Sequence, residues 1–257
     1  MAVLRISERG VTRVTGPWLH RRGKRAGNAA VERSVTSDGD IGAPIENLAR
    51  RSLNVVAAAV LLVLASPLML LITLAVKLTS RGPVLFTQQR VGLNRRNGAR
   101  HIRTSRRRSD CGGRLFSIYK FRTMRASGGK ADRQVWAEPD DPRVTPLGCV
   151  LRKYRLDELP QLINVLRGDM NLVGPRPEQP DIFARMREKI KHYEQRQRVL
   201  PGITGWAQVN HHYGLSVDDV RRKLQLDLEY IRRQSVSEDL RIMLRTVPVV
   251  AFKRGGW

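Results

Sequence analysis

Two adjacent carboxylates, Asp157 and Glu158, follow a run of basic residues and precede Pro160. An acidic pair at this position usually caps a helix and interacts with its dipole, but it can also attack phosphorus or bind a metal ion. Cations elsewhere in the chain favour the second role, namely Lys120, Arg122, Arg152 and Arg176. Because a diphosphate must be held and neutralised by cations before a carboxylate can approach it, this set indicates phosphoryl transfer.

The spacing of these residues adds detail to the prediction. Arg176 lies between Pro175 and Pro177, which fix φ on either side and predict a rigid backbone that aims the guanidinium at a phosphate. Lys120 and Arg122 point to the same side if they share a strand. Neighbouring residues on a helix diverge by about 100°, so Asp157 and Glu158 are expected to have different roles.

The elements that must position these residues are mainly helical. Residues 114–121 alternate in part and predict a short strand, and residues 160–167 predict a helix that ends at Gly168. A stripe of apolar residues marks a further helix, which packs either in the core or at a membrane interface: Ile182, Phe183, Met186 and Ile190. The predicted class is α/β and mainly helical, with short strands and interfacial amphipathic helices.

The apolar segment from Leu53 to Val76 contains no charged residue and is long enough to enter a membrane. Ser66 and Pro67 lie near its middle, where proline breaks or kinks a helix. Basic residues flank both ends, which favours both ends on the cytoplasmic side. We therefore predict a monotopic protein with a re-entrant helix–break–helix over residues 50–80, broken at Ser66 and Pro67. The alternative is a single span kinked by proline.

The formal net charge of +24, from 47 Lys and Arg against 23 Asp and Glu, requires a polyanionic partner. Residues 1–49 are predicted to be a disordered basic arm. Residues 93–114 form a basic insert, which is either a solvated loop or a clamp on lipid headgroups. The 2 cysteines exclude a disulfide framework and fit a reducing compartment.

Taken together, these motifs resemble the bacterial sugar transferases, the monotopic polyprenyl-phosphate glycosylphosphotransferases. The resemblance covers roughly residues 50–250 and includes Lys-Phe-Arg-Thr-Met at 120–124 and Gly-Pro-Arg-Pro at 174–177. Further segments that carry it are Ser66-Pro67 and residues 82–92, 141–145, 156–161, 168–173 and 201–206. Two departures are the long insert at 93–114 and Arg155, where many members have a small hydroxyl residue.

The resemblance implies transfer of sugar 1-phosphate from a UDP-sugar to undecaprenyl phosphate, the first membrane step of exopolysaccharide, O-antigen, capsule or glycoconjugate assembly. Asp157 would be the nucleophile that forms a covalent phosphosugar intermediate, and Glu158 would be its catalytic neighbour, with Mg²⁺ held by both. The implied substrate contacts are Lys120, Arg122, Arg152, Pro175, Arg176 and Pro177.

The same resemblance implies a place at the cytoplasmic face of the bacterial inner membrane, with residues 81–257 as the catalytic domain. Membrane lipids are expected partners, downstream glycosyltransferases are candidate partners, and nucleic acid is not expected. The alternative function is a membrane-anchored basic adapter that binds nucleic acid or acidic lipid without catalysis. An adapter needs only bulk positive charge and does not explain the acids among residues 131–200. An NTP-dependent kinase would need a Gly-rich phosphate loop, which the sequence lacks.

Overall fold

The computed structural model describes residues 44–94, 113–125, 141–211 and 217–251, so most of the predicted basic arm and of the basic insert lies outside the described residues. As predicted, the described chain is mainly helical with short strands. In chain order the elements are α1 (Pro44–Thr79), β1 (Leu85–Val91), β2 (Leu115–Phe121), α2 (Pro146–Lys153), a first 3₁₀ helix (Leu156–Glu158), α3 (Gln161–Arg167), β3 (Asn171–Val173), α4 (Pro180–Lys189), a second 3₁₀ helix (Tyr193–Arg198), β4 (Gly202–Thr204), α5 (Trp206–Asn210), α6 (Val217–Arg233) and α7 (Val236–Ala251).

The strands form two small pairs. β1 and β2 are antiparallel, with Leu85 opposite Phe121 and Val91 opposite Leu115. β3 and β4 are parallel, with Asn171 opposite Gly202. The strand predicted at 114–121 is therefore confirmed as β2, and it places Lys120 near the end of a two-stranded ribbon.

α1 buries one narrow stripe and exposes the rest of its apolar surface. Ala58 and Val76 are almost fully buried, whereas Val63, Leu64 and Leu70 are each about 70% exposed. Within the described residues, it is the one helix that is long and apolar enough to cross a membrane, over Leu48–Thr79, and an 18-residue window within it has a mean hydropathy of 2.8. Water does not favour such an apolar exterior, whereas lipid does.

The helix continues through Ser66 and Pro67, so the predicted break is not observed and the re-entrant topology stays a prediction. Pro67 has no N–H, which leaves the carbonyl of Val63 without its usual helical donor. The hydroxyl of Ser66 donates to that carbonyl at 2.7 Å. The Ser-Pro pair thus removes one backbone bond and supplies a side-chain substitute, which is how apolar helices tolerate proline. The helix begins at Pro44, earlier than the predicted start at residue 50.

Both ends of α1 are anchored to the same globular part. Near its start, the buried Arg50 donates to the carboxylate of Asp239, at the beginning of α7, at 3.1 Å. Near its end, Ile72 and Val76 form a small core cluster with Phe121 of β2 and Leu151 of α2. The main core lies between α3, α4, α6 and α7.

The stripe on α4 belongs to this main core. Ile182 is 2% exposed and Phe183 is 1% exposed, and Met186 and Ile190 are also buried. The alternative that this stripe lies at a membrane interface is wrong, because its residues belong to the buried core and β1 and the second 3₁₀ helix pack against α4. The helix predicted at 160–167 is confirmed as α3, which ends at Gly168 in the left-handed conformation with φ of 85°.

Candidate active site

The carboxylate pair lies on a short, sharply turned segment. α2 starts with its N-cap, the hydroxyl of Thr145, which accepts from the N–H of Gly148 at 2.9 Å. The helix ends at Lys153, and Arg155 then adopts a left-handed conformation with φ of 53°. A non-glycine residue in this region costs about 1–2 kcal/mol. The turn redirects the chain into the first 3₁₀ helix, where Asp157 is only 7% exposed and Glu158 only 6% exposed.

Glu158 is the centre of a cluster of cations. Its Oε1 atom lies 2.8 Å from Nζ of Lys120 and 2.7 Å from Nη2 of Arg176. Nη1 of Arg155 lies 3.8 Å from Oε2. Burial by itself would raise the pKa of Glu158, but the charges of Arg176 and Lys120 outweigh it and hold that pKa well below its usual range. Glu158 is therefore ionised and holds the cations in place.

Asp157 has weaker contacts with the surrounding cations than Glu158 has. Its Oδ2 atom lies 3.6 Å from Nζ of Lys120, which is beyond hydrogen-bond distance. Burial raises the pKa of Asp157, the charge of Lys120 lowers it, and the negative charge of Glu158 raises it again, so that the net pKa is raised. The two adjacent carboxylates thus have different environments, which is compatible with the prediction that they have different roles.

Arg152 and the loop that carries Arg176 both lie next to the carboxylate pair. Oγ1 of Thr123 accepts from Nε of Arg152 at 3.0 Å, and the charge of Arg152 is close enough to lower the pKa of Asp157. Lys120, Arg152 and Arg176 therefore lie around the carboxylates, and their contact with a substrate stays a prediction. Pro175 and Pro177 contribute their carbonyls to the loop contacts and place Arg176 between them.

Arg122 has a different position from the other predicted cations. Its Nη2 atom donates to the carbonyl and to the hydroxyl of Ser80, both at 2.7 Å, at the end of α1. Its Nε and Nη1 atoms are buried and have no partner among the residues that the structure describes. Gly82 has φ of 118°, and a Cβ atom there would overlap Nη1 of Arg122. Arg122 thus has two buried donors without a partner among the described residues, close to the end of the apolar helix.

Sequence reasoning missed the role of two cations. The sequence marks Arg155 only as a departure from the family pattern, whereas in the structure its guanidinium approaches Glu158. Nothing in the sequence distinguishes Arg196, which is 4% exposed and whose guanidinium contacts the Arg176 loop. An arginine among polar residues looks the same in the sequence whether it is buried or exposed, so no signal distinguished Arg196.

The two carboxylates can hold a divalent ion only if a bound substrate supplies further ligands. Asp157 and Glu158 supply carboxylate oxygens, but the described residues contain no group of three or more His, Cys, Asp or Glu side chains that could hold a metal. Mg²⁺ commonly binds one or two carboxylates and takes its other ligands from phosphates and water. The pair therefore fits Mg²⁺ that arrives with a diphosphate.

This arrangement can stabilise a diphosphate and attack it. A buried carboxylate with a raised pKa lies beside an ionised carboxylate, and Lys120, Arg152 and Arg176 provide positive charge around both. Such preorganised cations neutralise the charge that develops in phosphoryl transfer.

Comparison with known proteins agrees with this chemistry. The model of the bacterial sugar transferase family matches residues 45–253. The chain is 41% identical to the undecaprenyl-phosphate glucose phosphotransferase of Komagataeibacter xylinus, over 82% of this chain and 37% of the relative. It is also 41% identical to the UDP-N-acetylgalactosamine-undecaprenyl-phosphate N-acetylgalactosaminephosphotransferase of Aeromonas hydrophila, over 80% of this chain and 44% of the relative.

A shorter relative is similar over nearly its whole length. The chain is 35% identical to the exopolysaccharide production protein ExoY of Rhizobium meliloti, over 83% of this chain and 90% of the relative. In contrast, it spans less than half the length of the two phosphotransferases above. The region of this chain that the family model matches contains the carboxylate pair and its cations.

Proposed function

The chain belongs to the bacterial sugar transferase family, and from this premise we propose that it transfers sugar 1-phosphate from a UDP-sugar to undecaprenyl phosphate. The observation that carries the proposal is the buried pair of Asp157 and Glu158, which lies among Lys120, Arg152 and Arg176. Relatives named for the use of undecaprenyl phosphate support the acceptor. Because these names include both glucose and N-acetylgalactosamine, the sugar has to be found by experiment.

The first step uses Asp157 as the nucleophile. An oxygen of its carboxylate attacks the β-phosphorus of the donor, and a new bond forms between that oxygen and phosphorus. The bond from the β-phosphorus to the bridging oxygen breaks, its electron pair stays on that oxygen, and UMP leaves. Asp157 suits this role because it is the carboxylate that is not hydrogen-bonded to Lys120 or Arg176, whereas Glu158 contacts both.

Glu158 contributes to this step by holding the cations. Its two close contacts fix the ammonium of Lys120 and the guanidinium of Arg176 beside Asp157. Fixed cations need little reorganisation as negative charge shifts toward the leaving UMP, which is why they lower the barrier. Mg²⁺ held by Asp157 and Glu158 would supply further neutralisation of the diphosphate.

The second step returns Asp157 to its free state. A phosphate oxygen of undecaprenyl phosphate attacks the phosphorus of the intermediate, and the bond between Asp157 and phosphorus breaks. The product is a lipid diphosphate sugar. Arg122 is the candidate contact for the lipid phosphate, because its Nε and Nη1 atoms have no hydrogen-bond partner in the described part of the chain and the residue contacts Ser80 at the end of the apolar helix α1. A phosphate on a membrane-embedded chain would meet those donors at the membrane surface.

The exposed surface of α1 supports the proposed membrane arrangement. Arg50 near its start and Val76 near its end both pack on the same globular part, and most of the apolar residues between them are exposed. In the proposed topology the helix enters one leaflet with both ends on the same side, and its basic flanks favour the cytoplasm for both ends. The exposed Leu240, Leu244 and Val247 of α7 are suited to the same membrane interface. We place the protein at the cytoplasmic face of the inner membrane.

The deciding experiment measures UMP release by the full chain in nanodiscs that contain undecaprenyl phosphate. UDP-glucose, UDP-galactose, UDP-N-acetylglucosamine and UDP-N-acetylgalactosamine are offered separately. We expect release with at least one donor, and we expect Asp157→Asn to abolish it. The matched control is Asp218→Asn, since Asp218 is an exposed residue whose side chain is 79% accessible. Absence of release with every donor, or full activity in Asp157→Asn, would falsify the proposal.

A further inference from the structure

The loop that carries Arg176 is held by its carbonyl groups. The carbonyls of Pro175 and Glu178 accept from backbone N–H groups, at 3.0 Å in each case, and their donors lie in β4 and β1. The other two carbonyls accept from side chains. The Arg176 carbonyl accepts from Arg196 at 3.0 Å, and the Pro177 carbonyl accepts from Arg90 at 3.1 Å. Four consecutive carbonyls are thus satisfied by donors from three separate segments, namely β1, β4 and the second 3₁₀ helix, which leaves the loop little freedom to move.

Arg196 contributes most to this arrangement because it is buried and has several partners. Besides the carbonyl of Arg176, its guanidinium lies 3.1 Å from Oε1 of Glu178 and 2.8 Å from Oδ2 of Asp227. It also donates to the hydroxyl of Tyr193 at 2.8 Å. One side chain therefore connects the loop, the second 3₁₀ helix and α6.

The charge of Arg196 is balanced within the protein. Lys223 lies 2.6 Å from Glu178, so that the two cations and the two acids Glu178 and Asp227 compensate one another. Burial alone would raise the pKa of Glu178, but Lys223 and Arg196 outweigh it and lower that pKa well below its usual range. A balanced, buried cluster of this kind has only one favourable arrangement and therefore fixes the position of whatever it contacts.

We propose that Arg196 is a positioning residue for the transfer reaction, which acts by fixing the Arg176 loop so that the Arg176 guanidinium stays on Glu158. This inference rests on the proposed function, because it concerns the same site. Arg196 does not touch the carboxylate pair itself in the described contacts. Its influence passes through the backbone of Arg176 to the guanidinium that binds Glu158.

The geometry of the side chain explains why arginine is needed. A guanidinium is a planar fork that can donate in several fixed directions, whereas the ammonium of lysine is a compact charge on a flexible stem. Arg196→Lys keeps the positive charge that balances Glu178 and Asp227. The lysine ammonium cannot, however, contact the Arg176 carbonyl, the Asp227 carboxylate and the Tyr193 hydroxyl at the same time. A displacement of about 1 Å at a substrate-positioning group can lower a rate by about 100-fold.

The test compares Arg196→Lys with the wild-type protein in the UMP-release assay, with the best UDP-sugar of the panel. We expect kcat to fall by about 10- to 100-fold while the KM for the donor changes little, because binding survives and alignment does not. Arg50→Lys is the matched control, since Arg50 is also buried and paired with an acid, Asp239, but does not contact the Arg176 loop. An equal fall of kcat in Arg50→Lys would mean that general destabilisation causes the effect, and the positioning role would be wrong.

Two further measurements make the test independent of stability. Arg176→Lys and the double variant Arg176→Lys/Arg196→Lys complete a double-mutant cycle. If Arg196 acts through Arg176, the double variant is hardly slower than Arg176→Lys alone, whereas losses that multiply would overturn the inference. Hydrogen exchange of the peptide around residues 174–179 should also be faster in Arg196→Lys than in Arg50→Lys. Unchanged exchange there would refute the positioning role, while a wild-type protein that releases no UMP would refute the proposed function instead.

Discussion

The Nζ atom of Lys120 lies 3.6 Å from Oδ2 of Asp157, close enough for charge attraction but too far for a hydrogen bond. The same ammonium is much closer to Glu158, at 2.8 Å. Asp157 therefore shares the ammonium of Lys120 with Glu158, which lies closer to it. Burial raises the pKa of Asp157, and the charge of Lys120 lowers it. This asymmetry leaves Asp157 available for chemistry and makes its protonation sensitive to Lys120.

The first prediction concerns the pH dependence of Lys120→Met. Asp157 must be ionised to attack, so its raised pKa places the acid limb of the rate profile above that of an ordinary aspartate. Since Lys120 lowers this pKa, its removal raises the pKa further and shifts the acid limb to higher pH. We also expect about a 100- to 1,000-fold lower kcat near neutral pH, because one preorganised cation is lost.

The measurement is kcat/KM for UMP release against pH, for both proteins. Arg125→Met, which removes an exposed cation from the segment after β2, provides the control and should keep the wild-type profile. An acid limb that stays in place, or that moves to lower pH in Lys120→Met, would contradict the assigned role of Asp157.

The second prediction is a covalent intermediate on Asp157. When the purified protein is mixed with its UDP-sugar but without undecaprenyl phosphate, we expect a stoichiometric burst of UMP and then no further turnover. Intact-protein mass spectrometry should show the added mass of a sugar phosphate, and peptide mapping should place it on Asp157. The adduct should be absent in Asp157→Asn and present in Asp218→Asn. Its appearance on another residue would assign the nucleophile elsewhere.

The third prediction separates the two half-reactions at Arg122. If its free donors bind the lipid phosphate, Arg122→Met should leave the UMP burst intact and slow the second step by about 10- to 100-fold, which is the usual value of a hydrogen bond to a charged group. Arg125→Met is again the control. The assay follows transfer of labelled sugar phosphate from the preformed adduct to undecaprenyl phosphate. A lost burst with a normal second step would place Arg122 on the donor side.

The fourth prediction tests the topology of α1. In the wild-type protein, a cysteine introduced at the N-terminus should be protected from a membrane-impermeant thiol reagent in intact cells, because the proposed topology has both ends of the helix in the cytoplasm. The double variant Ser66→Ala/Pro67→Ala restores the backbone bond to Val63 and removes the substitute bond from Ser66. A straighter helix can span the bilayer, so a fraction of the introduced cysteines should become accessible. Labelling of the introduced cysteine from outside in the wild-type protein would support the single kinked span.

Much of the fold could be predicted because its signals are local. The strand at 114–121 and the helix at 160–167 are confirmed as β2 and α3, since alternation, proline and glycine act within a few residues. The position of the α4 stripe was left open, because the same amphipathic pattern serves a core or a membrane. The break at Ser66 and Pro67 is not observed, since the Ser66 hydroxyl compensates the lost bond and the helix continues.

In the candidate site, too, some features could be predicted from the sequence and others could not. The sequence by itself determined which groups are available to react, namely two adjacent carboxylates and a set of cations, and their types favour phosphate chemistry. Only the tertiary structure decided that Glu158 takes the cations, that Arg122 faces Ser80, and that Arg196 supports the Arg176 loop. The physical reason is that burial and pairing depend on distances between residues far apart in the chain, whereas residue types and short spacings are visible along it.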